Sequence, residues 1–393
     1  MKVAVVGGCG HVGLPLAVSL ADAGVPSVAF DIDGAVVDLV NSGQMPFQEA
    51  GALPVLRRVL DDGSFGASTD PSVIAGVDVV VVVIGTPVDD HLNPDPNAVV
   101  VAIEECLPHM SDGQLVVLRS TVFPGVTARV EGMLAAAGLD VEVAFCPERI
   151  VEGQAMTELR ELPQIVGART DEGARKASAV FEALGVHTIQ TLPEEAELAK
   201  LFTNTWRYIK FAAANQFWVM ANEAGLDFGR IREAITFEYP RAADMPGPGF
   251  AAGPCLFKDT MQLAAFTNNN FTLGHAAMMV NEGQPLYVVE RVAAKHDLAS
   301  MTVGILGMAF KSDSDDIRSS LSYKLKRILR FRAREVLTTD PFVTVDDSLL
   351  PLDEVLERAN LLIIGAPHSE YRNLQTSTPV VDVWNLLGNG TRV

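Results

Sequence analysis

The sequence predicts an α/β protein with two doubly wound parallel-sheet domains joined by a central helical domain. Three observations support this: β-branched strands alternate with amphipathic stretches in the first third, Ala- and Glu-rich stretches fill the middle, and the first pattern returns after Ser300. Alternating strands and helices are typical of a parallel sheet. The chain of 393 residues is long enough for two or three domains. We divide it into residues 1–192, 193–298 and 299–393.

The first domain is predicted to contain five strands rich in β-branched residues. They are 2–7, 27–31, 77–85, 115–121 and 141–147. We interpret the stretches between them as amphipathic helices. The longest apolar run, at 77–85, has about half of the ~18 residues that span a bilayer, so we interpret it as a buried strand.

The middle domain is predicted to be helical because residues 194–235 contain no proline and no strand-like run. One long helix is expected to start near Pro193 and to pass Asn215, and another to follow the GLDF at 225–228. Long central helices often build subunit interfaces, so we expect a homodimer. The third domain is predicted to contain strands at 302–310, 359–368 and 379–385.

The charge of the chain argues against several classes of partner. It has 30 Lys plus Arg against 49 Asp plus Glu, a net charge of −19. Such a field repels DNA, RNA and anionic lipid, so we expect no nucleic-acid partner and no membrane partner. A phosphate-bearing ligand remains possible where helix N-termini and backbone N–H groups bind it.

The chain has four cysteines, Cys9, Cys106, Cys146 and Cys255, and no C-x-x-C pair. This argues against a disulfide framework and against a structural zinc site, so we expect no metal. A reducing, cytoplasmic location fits best. The apolar run of MKVAVVGG is too short for a signal peptide.

A glycine motif, Gly8-x-Gly10-x-x-Gly13, follows the first strand and opens a helix, as in a Rossmann-like domain. Gly8 is expected to permit the tight turn, Gly10 to admit a pyrophosphate and Gly13 to let helix and strand pack closely. Asp31 ends the next strand, where it can accept both ribose hydroxyls and repel a 2′-phosphate. The sequence therefore predicts NAD rather than NADP. The alternative is a glycine-rich turn in a domain that binds no nucleotide.

Two threonines follow the next predicted strands. Thr86 lies in the GTP at 85–87, and Thr121 lies in the STVFPGVT at 120–127. Open α/β sheets bind ligands at the carboxyl ends of their strands, so we expect both threonines to line the cofactor crevice. As the alternative, each is an ordinary turn residue.

Cys255 has an unusual setting for a cysteine. It lies in GPGFAAGPCLFKDT at 247–260, where glycines and prolines are expected to prevent regular structure. The other three cysteines fit buried positions better. A thiolate attacks carbonyl carbon well, and Lys258 and Asp259 can tune it. We therefore interpret Cys255 as a nucleophile.

Two further pairs suit the same chemistry. Lys200 and Asn204, four residues apart on the predicted long helix, share a face and can stabilise an oxyanion. Glu148 and Glu152 follow the strand at 141–147, where a carboxylate can activate water. The alternatives are a solvated lysine beside an unrelated asparagine, and surface acids at a helix start.

These groups together predict a four-electron oxidation of an alcohol to an acid. A nicotinamide cofactor takes a hydride, a cysteine traps the aldehyde as a thiohemiacetal, and a second hydride transfer gives a thioester. Water activated by a carboxylate then releases the acid. Each turnover uses two NAD⁺.

The motifs together resemble the UDP-glucose/GDP-mannose dehydrogenase family of nucleotide-sugar 6-dehydrogenases. They are, in the family's order, GCGHVGL, IGTPVDD, RSTVFPG, CPERIVEG, AELAKLFTNTW, GPCLFKDT and GMAFKSDSDDIRSS. The resemblance runs nearly end to end. It implies an N-terminal NAD domain, a central helical dimerisation domain and a C-terminal domain that binds the nucleotide of a UDP-sugar.

The resemblance also implies roles for single residues, with a loop around Cys255 whose glycines let the backbone approach the sugar. The implied catalytic residues are Cys255 as nucleophile, Lys200 and Asn204 at the oxyanion, Asp259 and Thr121 in the water and proton network, and Glu148 as the base for thioester hydrolysis. The implied cofactor-binding residues are Gly8, Gly10, Val12, Gly13, Asp31, Thr86, Thr121, Glu152 and Arg318. The implied substrate-binding residues are Glu148, Arg149, Lys200, Asn204, Arg241, Gly249, Phe250, Gly253, Phe310 and Lys311.

The chain departs from the family pattern at several positions. Phe257 stands where a proline is usual, Pro254 where a glycine is usual, and Gln164 where many members carry an arginine. The chain also looks shortened around 327–340. We expect Gln164 to alter a substrate or cofactor contact.

CPER followed by VEG resembles the branch that oxidises UDP-N-acetylglucosamine or UDP-N-acetylmannosamine. The alternative is a UDP-glucose 6-dehydrogenase. Two weaker alternatives are a β-hydroxyacid dehydrogenase, which needs no cysteine, and a catalytically silent nucleotide-binding module.

Overall fold

The structure is a computed structural model that describes residues 1–86 and 95–393. Residues 87–90, the end of the IGTPVDD motif, lie outside the described residues. The chain divides into two compact units, residues 1–203 and 204–393.

Among the described residues, the first unit has a sheet of eight strands with helices between them. The strands are β1 (Val3–Val6), β2 (Ser27–Phe30), β3 (Phe65–Ser68), β4 (Val79–Val82), β5 (Leu115–Leu118), β6 (Glu142–Phe145), β7 (Gln164–Ala168) and β8 (Thr188–Thr191), in the order β3-β2-β1-β4-β5-β6-β7-β8. The helices are α1 (Gly13–Asp22), α2 (Gly34–Asn41), α3 (Ala52–Asp61), α4 (Ala98–Cys106), α5 (Val126–Ala136), α6 (Ala155–Glu158) and α7 (Asp171–Glu182).

The predicted parallel sheet is confirmed, with one antiparallel step. β7 pairs antiparallel with β6, with Ala168 opposite Ala144, whereas the other neighbours in this sheet are parallel. The sequence predicts β1, β2, β4, β5 and β6 but misses β3, β7 and β8. The missed strands lie towards the sheet edges and contain glycine, serine, glutamine or threonine, so no continuous apolar run indicates them.

Helices cover both faces of this sheet. Along β4, Val79 and Val81 belong to one apolar core, and Val80 and Val82 belong to the other. Successive side chains of a strand point to opposite faces, so a strand buried on both faces needs apolar residues at every position. This explains the run of valines at 79–82.

The second unit combines helices with a four-stranded parallel sheet among its described residues. Its helices are α8 (Pro193–Glu223), which begins in the first unit, α9 (Phe228–Thr236), α10 (Leu256–Phe266), α11 (Thr272–Ala293), α12 (Leu321–Arg330) and α13 (Leu352–Arg358). Its strands are β9 (Thr302–Leu306), β10 (Glu335–Thr339), β11 (Leu361–Ile364) and β12 (Val380–Val381), in the order β10-β9-β11-β12. The long central helix and the helix after GLDF are confirmed, whereas β10 is a strand that is not predicted from the sequence.

One apolar core joins the helices and the sheet of the second unit. Trp218, Phe228 and Val288 from the helices pack in the same cluster as Ile305 and Ile363 from the sheet. The helices of this unit therefore bury their apolar faces against the C-terminal sheet.

Residues 391–393 complete that core. The indole N–H of Trp218 donates to the carbonyl of Thr391 at 2.8 Å. The Thr391 N–H donates to the carboxylate of Asp227 at 3.1 Å, and the Val393 N–H donates to Oδ1 of Asn222 at 2.9 Å. α8 and the start of α9 are thus bonded to a segment that follows them by more than 160 residues.

No helix within residues 1–86 and 95–393 has the length and apolarity that crossing a bilayer requires. No group of three or more His, Cys, Asp or Glu side chains there is arranged to hold a metal ion.

Candidate active site

The glycine turn joins β1 to α1 at the carboxyl end of a central strand. Gly7, at φ +73°, is the left-handed residue of the turn. Gly8 lies in the same turn without a left-handed backbone; a Cβ on it would lie 2.6 Å from Ala29 Cβ, so the close packing of the turn requires a glycine here. A Cβ on Gly13 would lie 2.9 Å from a backbone carbon of the turn, as expected for close helix–strand packing. Gly10 has no atom nearer than 3.7 Å to its Cβ position, which leaves room beside it among the described residues.

The N-terminus of α1 opens onto this turn. Val12 is its N-cap, and no described side chain caps the helix there. Uncapped N–H groups and the positive end of a helix dipole bind phosphate. The turn therefore fits the diphosphate of a dinucleotide.

Asp31 links this turn to the end of β2. Its Oδ2 accepts the Cys9 N–H at 3.0 Å, and its Oδ1 accepts the Asp33 N–H at 3.2 Å. Burial, together with the charges of Asp31 and Asp33, raises the pKa of the Cys9 thiol to about 12. Cys9 therefore packs beneath the turn as a neutral thiol.

The loops after β4 and β5 are hydrogen-bonded to each other at the carboxyl ends of these strands. The Thr86 hydroxyl donates to the carbonyl of Thr121 at 2.7 Å. The Ile84 N–H donates to the Ser120 hydroxyl at 2.8 Å. The two predicted crevice threonines thus lie together, next to the strand that leads into the glycine turn.

Glu148 is buried just after β6 and is not a surface acid. One oxygen accepts the N–H groups of Arg149 and Ile150 at 2.6 and 2.8 Å. The other forms an ion pair with Arg119, whose side chain is only 1% exposed. Arg119 is not among the site residues predicted from the sequence; the available signal was a charged residue directly after the apolar strand LVVL.

Gln164 belongs to this buried network. Its Oε1 accepts from Arg119 Nη1 at 2.9 Å, and its Nε2 donates to the Pro147 carbonyl at 3.1 Å and to the Ile165 carbonyl at 2.8 Å. An arginine at 164 would put a second cation beside Arg119. The uncharged Gln164, which departs from the family pattern, therefore suits a position in contact with the Arg119 guanidinium.

Arg149 and Glu152, two further residues predicted for the site, follow Glu148 in the chain. The Arg149 guanidinium donates to the Pro163 carbonyl, and burial lowers its pKa while the charge of Glu148 opposes the shift. Glu152 lies in the turn before α6.

Lys200 and Asn204 lie four residues apart on α8, as predicted. They are 9% and 5% exposed, so neither side chain is freely solvated. A lysine and an amide one turn apart on a helix share a face.

Cys255 lies at the N-terminus of α10, which begins at Leu256. The prediction that glycines and prolines prevent regular structure through this stretch is therefore wrong from Leu256 onwards, since those residues lie before the cysteine. The Cys255 side chain is exposed, whereas the other three cysteines are buried. Burial raises the pKa of Cys106 to about 11 and that of Cys146 to about 12.

A buried carboxylate lies one helical turn from Cys255. Asp259 is 1% exposed, and its Oδ2 accepts from Asn204 Nδ2 at 2.6 Å. The Lys258 ammonium lies 3.3 Å from its Oδ1. The second unit thus brings four of the residues singled out from the sequence into one cluster: Asn204, Cys255, Lys258 and Asp259.

The loop before Cys255 is packed against aromatic rings. A Cβ on Gly249 would overlap the Trp384 ring, and one on Gly253 would lie 2.6 Å from the Phe310 ring. Phe250 is buried and meets Trp384 edge-on, with ring centroids 6.1 Å apart. Among the described residues, the absence of a side chain on Gly249 and Gly253 makes room for aromatic rings. The resemblance implied instead that these glycines let the backbone approach the sugar.

The remaining predicted residues of the second unit are more open. Lys311 Nζ lies 5.5 Å from the centre of the Phe310 ring. The Arg318 guanidinium donates two hydrogen bonds to the Asp316 carboxylate, from Nε at 3.0 Å and from Nη2 at 2.6 Å. Arg241 is exposed in the turns after α9.

The parallel sheet, the uncapped N-terminus of α1 and the acid at the end of β2 define an NAD-binding protein. Three segments match domains of one family: 1–185 the NAD binding domain, 194–283 the central domain and 304–389 the UDP binding domain. The chain belongs to the UDP-glucose/GDP-mannose dehydrogenase family. It is an NAD-dependent UDP-sugar dehydrogenase.

Individual relatives match over most of their length. The chain is 30% identical to UDP-N-acetyl-D-mannosamine dehydrogenase of Pyrococcus horikoshii, over 100% of this chain and 93% of that protein. A solved structure of UDP-D-ManNAc dehydrogenase from that organism has a TM-score of 0.89 at 29% identity, covering 95% of this chain and 91% of the other. A UDP-glucose dehydrogenase from Pyrobaculum islandicum has a TM-score of 0.89 at 27% identity, covering 97% and 93%.

Proposed function

We propose that the protein oxidises the C6 alcohol of a UDP-N-acetylhexosamine to the uronic acid through a thioester on Cys255. The observation that carries this proposal is the setting of Cys255: an exposed thiol at a helix N-terminus, one turn from the buried Asp259. The positive end of a helix dipole stabilises a negatively charged sulfur. The other three cysteines are buried and unsuited to attack.

The first half of the reaction turns the alcohol into an enzyme-bound thioester. NAD, when bound, accepts the hydride in both oxidations, so two molecules are used. The C6 alcohol first loses a hydride from its carbon, and its hydroxyl proton passes to the water and proton network, which gives the aldehyde. The Cys255 sulfur then adds to the aldehyde carbon, and the thiol proton ends on the aldehyde oxygen. Lys200 and Asn204 donate hydrogen bonds to that oxygen; Asn204 uses one N–H on Asp259 and keeps a second for this role. Loss of a hydride and of the hydroxyl proton from the thiohemiacetal gives the thioester.

The second half is hydrolysis. Water adds to the thioester carbon, the carbon–sulfur bond breaks, and the sulfur recovers a proton. Glu148 acts as the base. A carboxylate has about four lone-pair positions, and here two backbone N–H groups and Arg119 occupy three of them. Counting the hydrogen bonds of the described residues, one position on Oε2 remains to accept a proton from water. Asp259 and Thr121 belong to the proton network, and the cofactor and substrate residues keep the roles that the family resemblance implies.

The proposed substrate class rests on similarity. The chain carries CPER followed by VEG, and several relatives are UDP-N-acetyl-D-mannosamine dehydrogenases. The high similarity to a UDP-glucose dehydrogenase structure favours UDP-glucose as the second candidate.

Turnover with a panel of sugar nucleotides tests this function. The panel contains UDP-glucose, UDP-N-acetylglucosamine, UDP-N-acetylmannosamine, UDP-galactose and GDP-mannose, each assayed with NAD⁺ and with NADP⁺. We expect two NADH per sugar from a UDP-N-acetylhexosamine, and weak use of NADP⁺ because Asp31 repels its 2′-phosphate. Preferred turnover of UDP-glucose would favour the second candidate. One NADH per substrate would indicate a β-hydroxyacid-type reaction, and no turnover with any of the five would contradict the proposed substrate.

We further propose that residues 1–192, 193–298 and 299–393 act as NAD, dimerisation and nucleotide domains. Large apolar side chains are exposed on two helices of the second unit. They include Trp206, Phe217 and Met220 on α8, 45–58% exposed, and Met279 and Leu286 on α11, 71% and 49% exposed. Spacings of 11, 3 and 7 residues put each set on one helix face. Exposed apolar patches mark association surfaces, so these faces are the proposed homodimer interface. The cytoplasmic location stays a prediction.

Negative charges introduced on the exposed apolar face of α8 are expected to separate the subunits. The wild type should have twice the chain mass of 42.1 kDa by light scattering, and Trp206→Glu/Met220→Glu should approach the single-chain mass, because a dimer would bury the new carboxylates. Phe331→Glu is the matched control, since Phe331 is 86% exposed and lies on neither helix. A monomeric wild type, or a dimeric double variant, would contradict the proposed interface.

A further inference from the structure

Asn215 binds both backbone groups of Gly249, six residues before Cys255. Its Oδ1 accepts the Gly249 N–H at 2.9 Å, and its Nδ2 donates to the Gly249 carbonyl at 3.0 Å. Asn215 is 1% exposed and lies on α8. One amide thus satisfies a peptide unit of an irregular loop, as a neighbouring strand would do in a sheet.

A second asparagine fixes the orientation of that amide. Asn215 Nδ2 also donates to Oδ1 of Asn281 at 3.0 Å, and Asn281 Nδ2 donates to the Tyr208 carbonyl at 3.1 Å. Asn281 is fully buried on α11. Both N–H bonds of the Asn215 amide are therefore used, and a flipped amide would lose both of these donors.

The opposite side of Gly249 is closed by Trp384. Gly249 has φ +148°, which L side chains rarely adopt, and the indole lies where a Cβ would be. The indole itself is held by a hydrogen bond from Nε1 to the Ile364 carbonyl at 3.1 Å. The loop backbone is thus fixed between a buried amide and a ring.

We propose that Asn215, oriented by Asn281, is a positioning residue that sets the location of the Cys255 thiol. α8 binds the chain on both sides of this cysteine: Asn215 binds Gly249 before it, and Asn204 binds Asp259 after it. These three bonds leave the intervening segment little freedom at the start of α10. The kinetic part of this proposal rests on the proposed function; the placement of the thiol does not.

The experiment compares the same substitution at two asparagines of α8. Asn215→Leu removes both bonds to Gly249. Asn222→Leu is the matched control, since Asn222 is 4% exposed on the same helix. Its amide also makes two hydrogen bonds, but it donates to the Tyr287 hydroxyl and accepts from the Val393 N–H. Asn281→Ala is a milder second variant, because it leaves both Gly249 bonds in place and removes the group that orients the Asn215 amide, together with one bond to the Tyr208 carbonyl.

The first measurement is the rate of Cys255 alkylation by iodoacetamide in the folded protein, located by peptide mass spectrometry. The three other cysteines are buried, so the native rate reports on Cys255. We expect a decrease of about tenfold in Asn215→Leu, because the sulfur is no longer held at the positive end of α10. Asn281→Ala should give a smaller decrease, and Asn222→Leu should match the wild type.

The second measurement is steady-state kinetics with the sugar nucleotide that the wild type turns over. In Asn215→Leu, kcat should fall by about tenfold to a hundredfold, since misplacement by about 1 Å costs that much, while KM for NAD⁺ stays unchanged. Equal decreases of kcat in Asn215→Leu and Asn222→Leu would mean that Asn215 only stabilises the fold, and would overturn its positioning role.

An unchanged or increased alkylation rate in both Asn215→Leu and Asn281→Ala would overturn the proposal. If Asn215→Leu does not fold, Asn281→Ala decides the matter. If the alkylation rates change as expected but even the wild type turns over none of the sugar nucleotides, the proposed function fails and the positioning role stands.

Discussion

Cys255→Ala is expected to abolish formation of the uronic acid and of the second NADH, with a loss of at least about a thousandfold in kcat for the complete oxidation. Without the sulfur, the aldehyde has no group to hold it as a thiohemiacetal, so the second oxidation has no substrate. The variant should fold as the wild type does, because the side chain is exposed and packs in no apolar core. The measurement is NADH per sugar by absorbance, with product identified by mass spectrometry.

Cys106→Ala is the matched control for this result. Cys106 is buried, and its Sγ lies 3.1 Å from the Ala102 carbonyl, which it can reach as a donor. Its loss should lower stability and leave the stoichiometry of two NADH per sugar unchanged. Full activity of Cys255→Ala, with two NADH per sugar, would falsify the thioester mechanism.

Arg119→Met is expected to lower the free energy of unfolding by about 3–5 kcal/mol, because it leaves the buried Glu148 without its cation. Arg119 also donates to the Cys146 carbonyl at 3.1 Å and lies 5.0 Å from the centre of the Phe181 ring. Those contacts would be lost as well. Urea unfolding followed by circular dichroism measures the change.

The double variant Arg119→Met/Glu148→Gln separates the cost of an unpaired charge from lost packing. Removing both charges should recover part of the stability, because no buried ion is left alone. The exposed pair of Arg175 and Glu172 serves as control, and Arg175→Met should leave the unfolding curve unchanged within error. A small effect of Arg119→Met, comparable to that control, would mean that solvent reaches the Glu148 carboxylate.

Features with a local signature could be predicted from the sequence. The valine run of β4 indicates burial on both faces, and the stretch after Pro193 without proline indicates α8. The glycine motif and Asp31 have the spacing of a dinucleotide turn, and the structure joins them through the Cys9 N–H. These signals depend on residues that are close in the chain.

Features that depend on distant residues could not be predicted in this way. Arg119 looks like a strand-end cation until β6 and β7 bring Glu148 and Gln164 to it. Asn215 and Gly249 are 34 residues apart, and no periodicity links an amide on a helix to a glycine in a loop. Gly7, the left-handed residue of the turn, was hidden by its neighbour Gly8, because two consecutive glycines offer two choices of turn residue.

The contacts of residues 391–393 have a consequence for the order of events during synthesis on the ribosome. The first unit draws its strands from residues 1–203 alone, so it can fold while the rest of the chain is still being made. In the second unit, Trp218, Asn222 and Asp227 must wait for Thr391 and Val393. Until then the apolar faces of α8 and α9 lack part of their cover. We expect chaperone binding and co-translational aggregation to concentrate in this interval, and slower elongation after residue 204 would prolong it.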